Sequence, residues 1–213
     1  MANTNSTKTL LEVANDVLLM AGERPTVSLN ANPVSRKVAS CLREALLEVA
    51  LLDDWSFLRS RVNALAWTSN VADVGDVQRI VRVIDTDGRT MPYVDVNDMD
   101  MGVGGSRCWT VNGYGLVRFS FVPSDDERPN IRFDVIRALQ PPNADGDTFP
   151  VPDRFMPLVT KRALYLFVLR HLDDAPMAAQ YNNEFELMTQ MIRNRERYVP
   201  RGSVNMYRRR RTS

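Results

Sequence analysis

The apolar residues of this chain change their spacing twice. Between residues 10 and 52 they recur every three or four positions, between about 60 and 138 they alternate, and beyond Pro157 the helical spacing returns. A period of 3.6 and a period of 2 cannot occupy one element, so the chain must run from helices to strands and back to helices. Helices at both ends can bury their stripes only by meeting each other. The expected class is therefore α+β: a four-helix bundle formed by the N- and C-terminal helices, carrying an inserted antiparallel β domain. The corresponding divisions are residues 1–57 for the N-terminal helices, 58–140 for the β domain, 141–199 for the C-terminal helices and 200–213 for an extended basic arm.

The first helix is expected over residues 10–21, where Leu10, Ala14, Val17, Leu18 and Ala21 share a face and Gly22 supplies a stop. Asn32-Pro33 then offers an N-cap followed by a proline at the first helical position. From there Val34, Val38, Cys41, Leu42, Ala45, Val49 and Leu52 form one stripe, with Arg36, Lys37, Arg43, Glu44 and Glu48 on other faces. After the proline-rich connector 141–157, Leu158, Val159, Arg162, Leu166 and Leu169 mark a third helix. Pro176 opens a fourth, with Tyr181, Phe185, Met188 and Ile192 as its stripe.

Strands are expected at 60–67, 76–85, 89–94, 108–111, 116–122 and 131–138. Asp87-Gly88 and Asn112-Gly113 are dipeptides suited to hairpin turns. On a regular strand Arg79 and Arg82 fall on opposite faces, so no basic stripe for stacking nucleic acid is expected on the sheet. Trp55, Phe57, Trp67 and Trp109 are expected to anchor a core or a junction.

With 213 residues, 44% of them hydrophobic, the chain can bury a real core. Cys41 and Cys108 form no CxxC pair, and free thiols in a reducing compartment are expected. The polar N-terminus has no apolar signal core, and no stretch reaches the ~20 apolar residues of a membrane span, so a soluble, unexported protein without a membrane partner is expected.

The minimum parts of common enzymes are missing. His171, the single histidine, stands near a helix end beside Asp173 and Asp174, where a capping or surface role is expected. Neither a GxSxG elbow nor HExxH occurs. Gly102-Val-Gly-Gly105 lacks the Lys-Ser/Thr that would make it a phosphate loop. Asp85-Thr-Asp87-Gly88 resembles the opening of a calcium loop, but Arg89 takes the next ligand position and a hairpin explains it. The acid pairs Asp53/Asp54 and Asp125/Asp126 are adjacent and diverge into solvent. No catalytic residue, metal or cofactor is expected.

What remains is the C-terminal stretch. Eight arginines from Arg193 to Arg211 face the single acid Glu196, in a chain whose net charge is only +1. Arg208, Arg209, Arg210 and Arg211 follow Gly202 and Tyr207, where no apolar periodicity folds them into a core. An anionic partner is implied.

Several segments in order resemble the tail tubular protein A family, the head-to-tail adaptors of short-tailed bacteriophages. Val13-Ala-Asn-Asp-Val-Leu-Leu-Met-Ala-Gly-Glu-Arg-Pro-Thr-Val-Ser-Leu29 is similar to that family's opening helix and turn, and Trp55-Ser-Phe57 to its Trp-x-Phe. Phe149-Pro-Val-Pro-Asp-Arg-Phe155, Thr160-Lys-Arg-Ala163 and Gly202-Ser-Val-Asn-Met206 resemble its later elements, with Val204 in place of the usual tyrosine. The resemblance implies a virion protein of the tail, made in the host cytoplasm. It implies a dodecameric homo-oligomer between the portal protein and the tail nozzle protein (tail tubular protein B), with tail fibres near its lower rim and DNA passing through its lumen without sequence-specific binding. It also places a C-terminal segment against the portal. In this sequence the portal-binding arm would be Arg201, Gly202, Val204, Asn205, Met206, Tyr207, Arg208, Arg209, Arg210 and Arg211, ordering only on its partner. Two other readings stand beside it: a solvated tail without a target, and a DNA-binding module using the basic arm.

Overall fold

The computed structural model describes residues 6–103 and 105–197. The arm residues 201–211 lie outside this range. The fold is mixed helix and antiparallel sheet, as the α+β expectation requires, and the chain divides into two compact units. Among the described residues, one comprises 6–53 with 141–197; the other is Asp54–Gln140.

The helical unit contains α1 (Leu10–Met20), α2 (Pro33–Leu51), α4 (Met156–Phe167) and α5 (Ala175–Arg197). Each start has a local cause. Thr9 caps α1 by accepting from the Glu12 backbone while Glu12 returns the bond to Thr9, a reciprocal box not anticipated from the sequence. Asn32 caps α2 as expected, accepting from Ser35 N at 2.8 Å, and Pro33 follows. Helix α4 runs into a π-helical turn, Val168–Leu172, and ends at Asp173 in the left-handed conformation with φ of 51°. Asp174 then caps α5 by accepting from Met177 N at 2.9 Å. Helix α2 packs on α4, α4 on α5, and α1 on both α2 and α4. Leu10, Val17, Val38, Leu42, Leu46, Leu158 and Phe167 are among the buried residues.

The connector after Pro141 is part of this unit rather than a loose link. It forms backbone bonds with α1, from Leu10 N to Asp147 O at 2.8 Å and from Leu11 N to Asp145 O at 3.1 Å. Arg43 of α2 donates to the carbonyls of Pro142 and Asn143 at 2.8 and 2.9 Å.

The β unit holds two antiparallel sheets, not a single one. The three-stranded sheet has the order β1 (Arg59–Val62), β7 (Arg132–Arg137), β4 (Val77–Ile84). The four-stranded sheet has the order β2 (Ala66–Thr68), β3 (Val71–Asp73), β6 (Leu116–Phe119), β5 (Trp109–Val111). The run 60–67, expected as one strand, is therefore two, each in a different sheet. Residues 89–94 make only isolated bridges, Ile84 with Thr90 and Tyr93 with Trp109, and a short helix α3 (Val96–Asp100) follows. Pro92 has no N–H for a ladder. Both sheets contribute to one apolar cluster, with Val83, Phe133 and Val135 from the first and Ala72, Val117, Phe119 and Trp109 from the second. Phe119 is its centre, with ring centroids of Trp67, Phe121 and Phe133 at 5.5, 5.6 and 6.3 Å.

The turn after β5 ends on Gly115 at φ 68°, where the chain passes so close to Gly75 that a Cβ at Gly115 would meet the Gly75 carbonyl oxygen at 2.2 Å. Only glycine meets both demands.

Candidate functional site

The helix leading into the arm is firmly held at its end. Arg193 of α5 donates to the Leu52 carbonyl at 2.6 Å and pairs with Asp53 at 3.0 Å, tying α5 to the end of α2. Glu196, the one acid set against eight arginines in the sequence, pairs with Arg154 at 2.9 Å. Its charge is thus engaged within the helical unit.

Between α2 and α5 lies an open cleft of about 510 Å³, bordered by Glu48, Leu51, Leu52, Arg162, Phe185 and Arg193. The guanidinium of Arg162 is fully occupied: it pairs with Glu48, donates to Asn182 Oδ1 at 3.2 Å, and lies over the rings of Tyr165 and Phe185. Leu51 of α2, at the cleft, is 70% exposed, and Leu187 and Met191, one turn apart on α5, are 62% and 58% exposed. Large apolar side chains left in water at helical spacing suit contact with another protein better than chemistry on a small molecule.

Several acids of the helical unit are engaged by neighbouring donors. Glu44 receives both arms of Arg170 at 2.5 and 2.7 Å, which holds its carboxyl below the usual range. Glu184 is held low by Lys161 at 2.5 Å and then by Gln180. Glu186 accepts from Asn182 at 3.0 Å. His171 lies 5.6 Å from Phe167, and burial, then Lys37 and Arg170, lower its pKa, favouring the neutral ring. Cys41 is buried and its thiol is pushed up to about 11, mainly by desolvation, so it is unreactive. Among the described residues no group of three or more His, Cys, Asp or Glu could hold a metal ion, and no helix is long and apolar enough to cross a membrane.

The β unit carries a feature that the regular-strand argument missed. Strand β4 pairs with β7 through Arg79 opposite Ile136, Ile80 opposite Val135 and Arg82 opposite Asp134. Three steps on β4 match two on β7, because a bulge inserts Val81. The extra residue turns Arg82 onto the same face as Arg79. The expectation that these two arginines diverge is wrong for that reason. Arg59 and Arg61 of β1 lie opposite Ile136 and Asp134, so they share this outer face, and Arg132 joins it two residues before Asp134. Arg61 grips Asp134 at 2.6 and 3.2 Å, Arg82 pairs with the same carboxylate, and Arg79 pairs with Asp54. Asp134 is held below the usual carboxylate range, first by the Arg61 hydrogen bond and then by that of Arg82.

Comparison with known protein families gives a match to the SU10 adaptor protein family over residues 8–210. The chain belongs to that family. The match spans both units, so an adaptor role attaches to the whole fold and not to one motif. It supports a phage structural adaptor and with it a place in the virion, while the narrower tail tubular protein A family is not what the match names. A comparison with curated proteins gave no match. Within this adaptor, the structure brings together the base of α5 and the end of α2, where Leu51 is exposed. It also gathers five arginines on one sheet face, where Arg82 joins Arg79 only through the bulge.

Proposed function

We propose that the chain is the head-to-tail adaptor of a short-tailed phage. Twelve copies form a ring between the portal protein and the tail nozzle, with DNA passing through the lumen and fibres docking near the lower rim. The four long helices act as a bundle that packs side by side around the ring. The arm, Arg201, Gly202 and Val204 to Arg211, docks into a groove on the portal. The observation that carries this reading is the family match over residues 8–210, a span that includes both units and reaches the arm. The tethered end of α5 supports it, since a rigid base lets each arm contribute an effectively intramolecular contact once one copy is seated.

The test mixes purified protein with a portal ring and images the product by electron microscopy, comparing the full chain with one ending at Tyr198. Loss of attachment in the shortened chain is the expected result. Equal attachment would remove the arm from the reading. Replacing Arg208 to Arg211 by serine is the finer variant, with weaker attachment expected and unchanged circular dichroism.

A further inference from the structure

We propose that the outer face of the three-stranded sheet, β1–β7–β4, is the surface on which a neighbouring copy of this chain docks through its carboxylates. The inference rests on the ring reading and adds where two copies touch. Its first support is charge segregation. Residues 54–140 contain ten arginines, no lysine and twelve carboxylates, a net charge of −2. The outer face holds five of those arginines, Arg59, Arg61, Arg79, Arg82 and Arg132, against the two carboxylates of Asp134 and Asp54, an excess of three positive charges. The rest of the unit therefore carries −5.

A head-to-tail ring requires two different complementary patches on one chain, and a unit sorted in this way supplies both. The acidic patch includes Asp95, Asp98 and Asp100 around α3, all exposed. Asp100 pairs with Arg118 and Asp95 caps α3, while Asp98 makes no ion pair among the described residues. On the basic face Arg132 likewise makes none, and Arg59 gives only its Nε to the Asp54 carbonyl at 3.1 Å.

Geometry points the same way. Arg59, Arg61, Val81, Arg82 and Asp134 border a shallow groove of about 550 Å³. Residues two apart on a strand stand about 7 Å apart and neighbouring strands about 4.8 Å apart, so the guanidinium forks form a grid. Arg61 already shows bidentate carboxylate recognition there, on Asp134. Val81, 49% exposed, provides an apolar contact in the middle. None of the strand residues on this face is aromatic, and Asp134 and Asp54 would repel a phosphate backbone, so a protein carboxylate is favoured over nucleic acid.

The full chain would be studied by analytical ultracentrifugation over a concentration series, in about 0.05 M and about 0.5 M salt. Self-association that weakens strongly at the higher salt is expected. Arg59→Glu with Arg132→Glu, two positions that hold no carboxylate, should weaken it by about tenfold or more, with unchanged tryptophan fluorescence. Adding Asp98→Arg and Asp95→Asn to the same chain should restore it, an outcome that misfolding could not produce. The inference is overturned if the wild-type chain does not associate at either salt, if the Glu variant associates normally, or if the added changes fail to rescue. It is overturned as well if the Glu variant instead loses binding to a short duplex DNA. In each case the portal-ring experiment still reads the adaptor assignment separately.

Discussion

On the helical unit, Glu44 and Glu48 of α2 sit one turn apart and meet Arg170 and Arg162, whereas on the three-stranded sheet five arginines share one face and three of them, Arg61, Arg82 and Arg79, pair with Asp134 and Asp54. The first arrangement neutralises charge between elements of one unit. The second concentrates a single sign on a face. The difference comes from backbone geometry: a helix repeats its faces without interruption, so acids four residues apart find partners along a neighbouring helix. A strand pairs its faces strictly, and one inserted residue moves every later side chain across. Helices here make a body that pairs charges between its elements and leaves apolar residues exposed, while the sheet makes an electrostatically polarised surface.

The contrast would be broken most severely through the two cores. Phe119→Ala removes the ring around which Trp67, Phe121 and Phe133 pack, and should cost about 3–5 kcal/mol. Leu46→Ala, on the buried face of α2, should cost about 2–5 kcal/mol. Denaturant melts followed by tryptophan fluorescence for the first and by helical circular dichroism for the second check each value. A loss below 1 kcal/mol in either would show that its core is not closely packed there.

How far the sequence discloses these two regions follows the same division. The stripes of α1 and α2, the Asn32-Pro33 start and the Pro176 start are readable because each depends on neighbours within about one turn. The stripe Tyr181, Phe185, Met188 and Ile192 does turn inward, with Phe185 7% exposed and the other three half-buried. In the β unit the information is non-local. Strand β3 (Val71–Asp73) is three residues between turns, too short to show alternation. The break between β1 and β2 exists because the two pieces belong to different sheets, and the bulge at Val81 is set by pairing with β7, distant in sequence. The arginine face was therefore illegible, although every arginine in it was visible. The arm was legible as an excess of charge and lies outside the described residues.

Turn geometry offers a sharper and smaller test. Gly115→Ala adds a Cβ that would meet the Gly75 oxygen at 2.2 Å in addition to forcing a left-handed alanine, so it should cost well over 1 kcal/mol. Gly22, after α1, has φ of 79° but nothing within 4 Å of its Cβ position. Gly22→Ala should cost only the conformational penalty, about 1–2 kcal/mol. Thermal melts of the two variants compared with wild type decide it; equal losses would mean that the close approach at Gly75 relaxes without cost.

Single charge removals come next. Asp134→Asn leaves Arg61 and Arg82 side by side without their shared carboxylate and should destabilise by about 1–3 kcal/mol. Glu44→Gln breaks a pair whose side chains are 38% and 47% exposed, and should cost less than about 1 kcal/mol because solvent screens it. The reverse ranking, measured by urea unfolding, would contradict the picture of a concentrated charge on the sheet and dispersed pairs on the helices.

Acid titration gives the finest distinction. Asp134 and Glu44 both have folded pKa values lowered by arginine hydrogen bonds, Arg61 and then Arg82 for the first, Arg170 for the second. Unfolded carboxyls titrate near 3.9 for Asp and 4.3 for Glu, so folding holds these groups deprotonated at pH values where the unfolded chain binds a proton. Their stabilisation is present in full above about pH 4–5 and is lost as pH falls through the lowered folded values. Asp134, with its side chain 18% exposed, is screened less than Glu44. The wild-type β unit, followed by tryptophan fluorescence, should therefore lose stability steeply below pH 4, and Asp134→Asn should flatten that dependence while lowering stability near neutral pH. Glu44→Gln should change the acid limb of the helical signal only slightly. An unchanged acid slope in Asp134→Asn would mean that the paired arginines do not stabilise the folded carboxylate, and the five-arginine face would then be held by its backbone register alone.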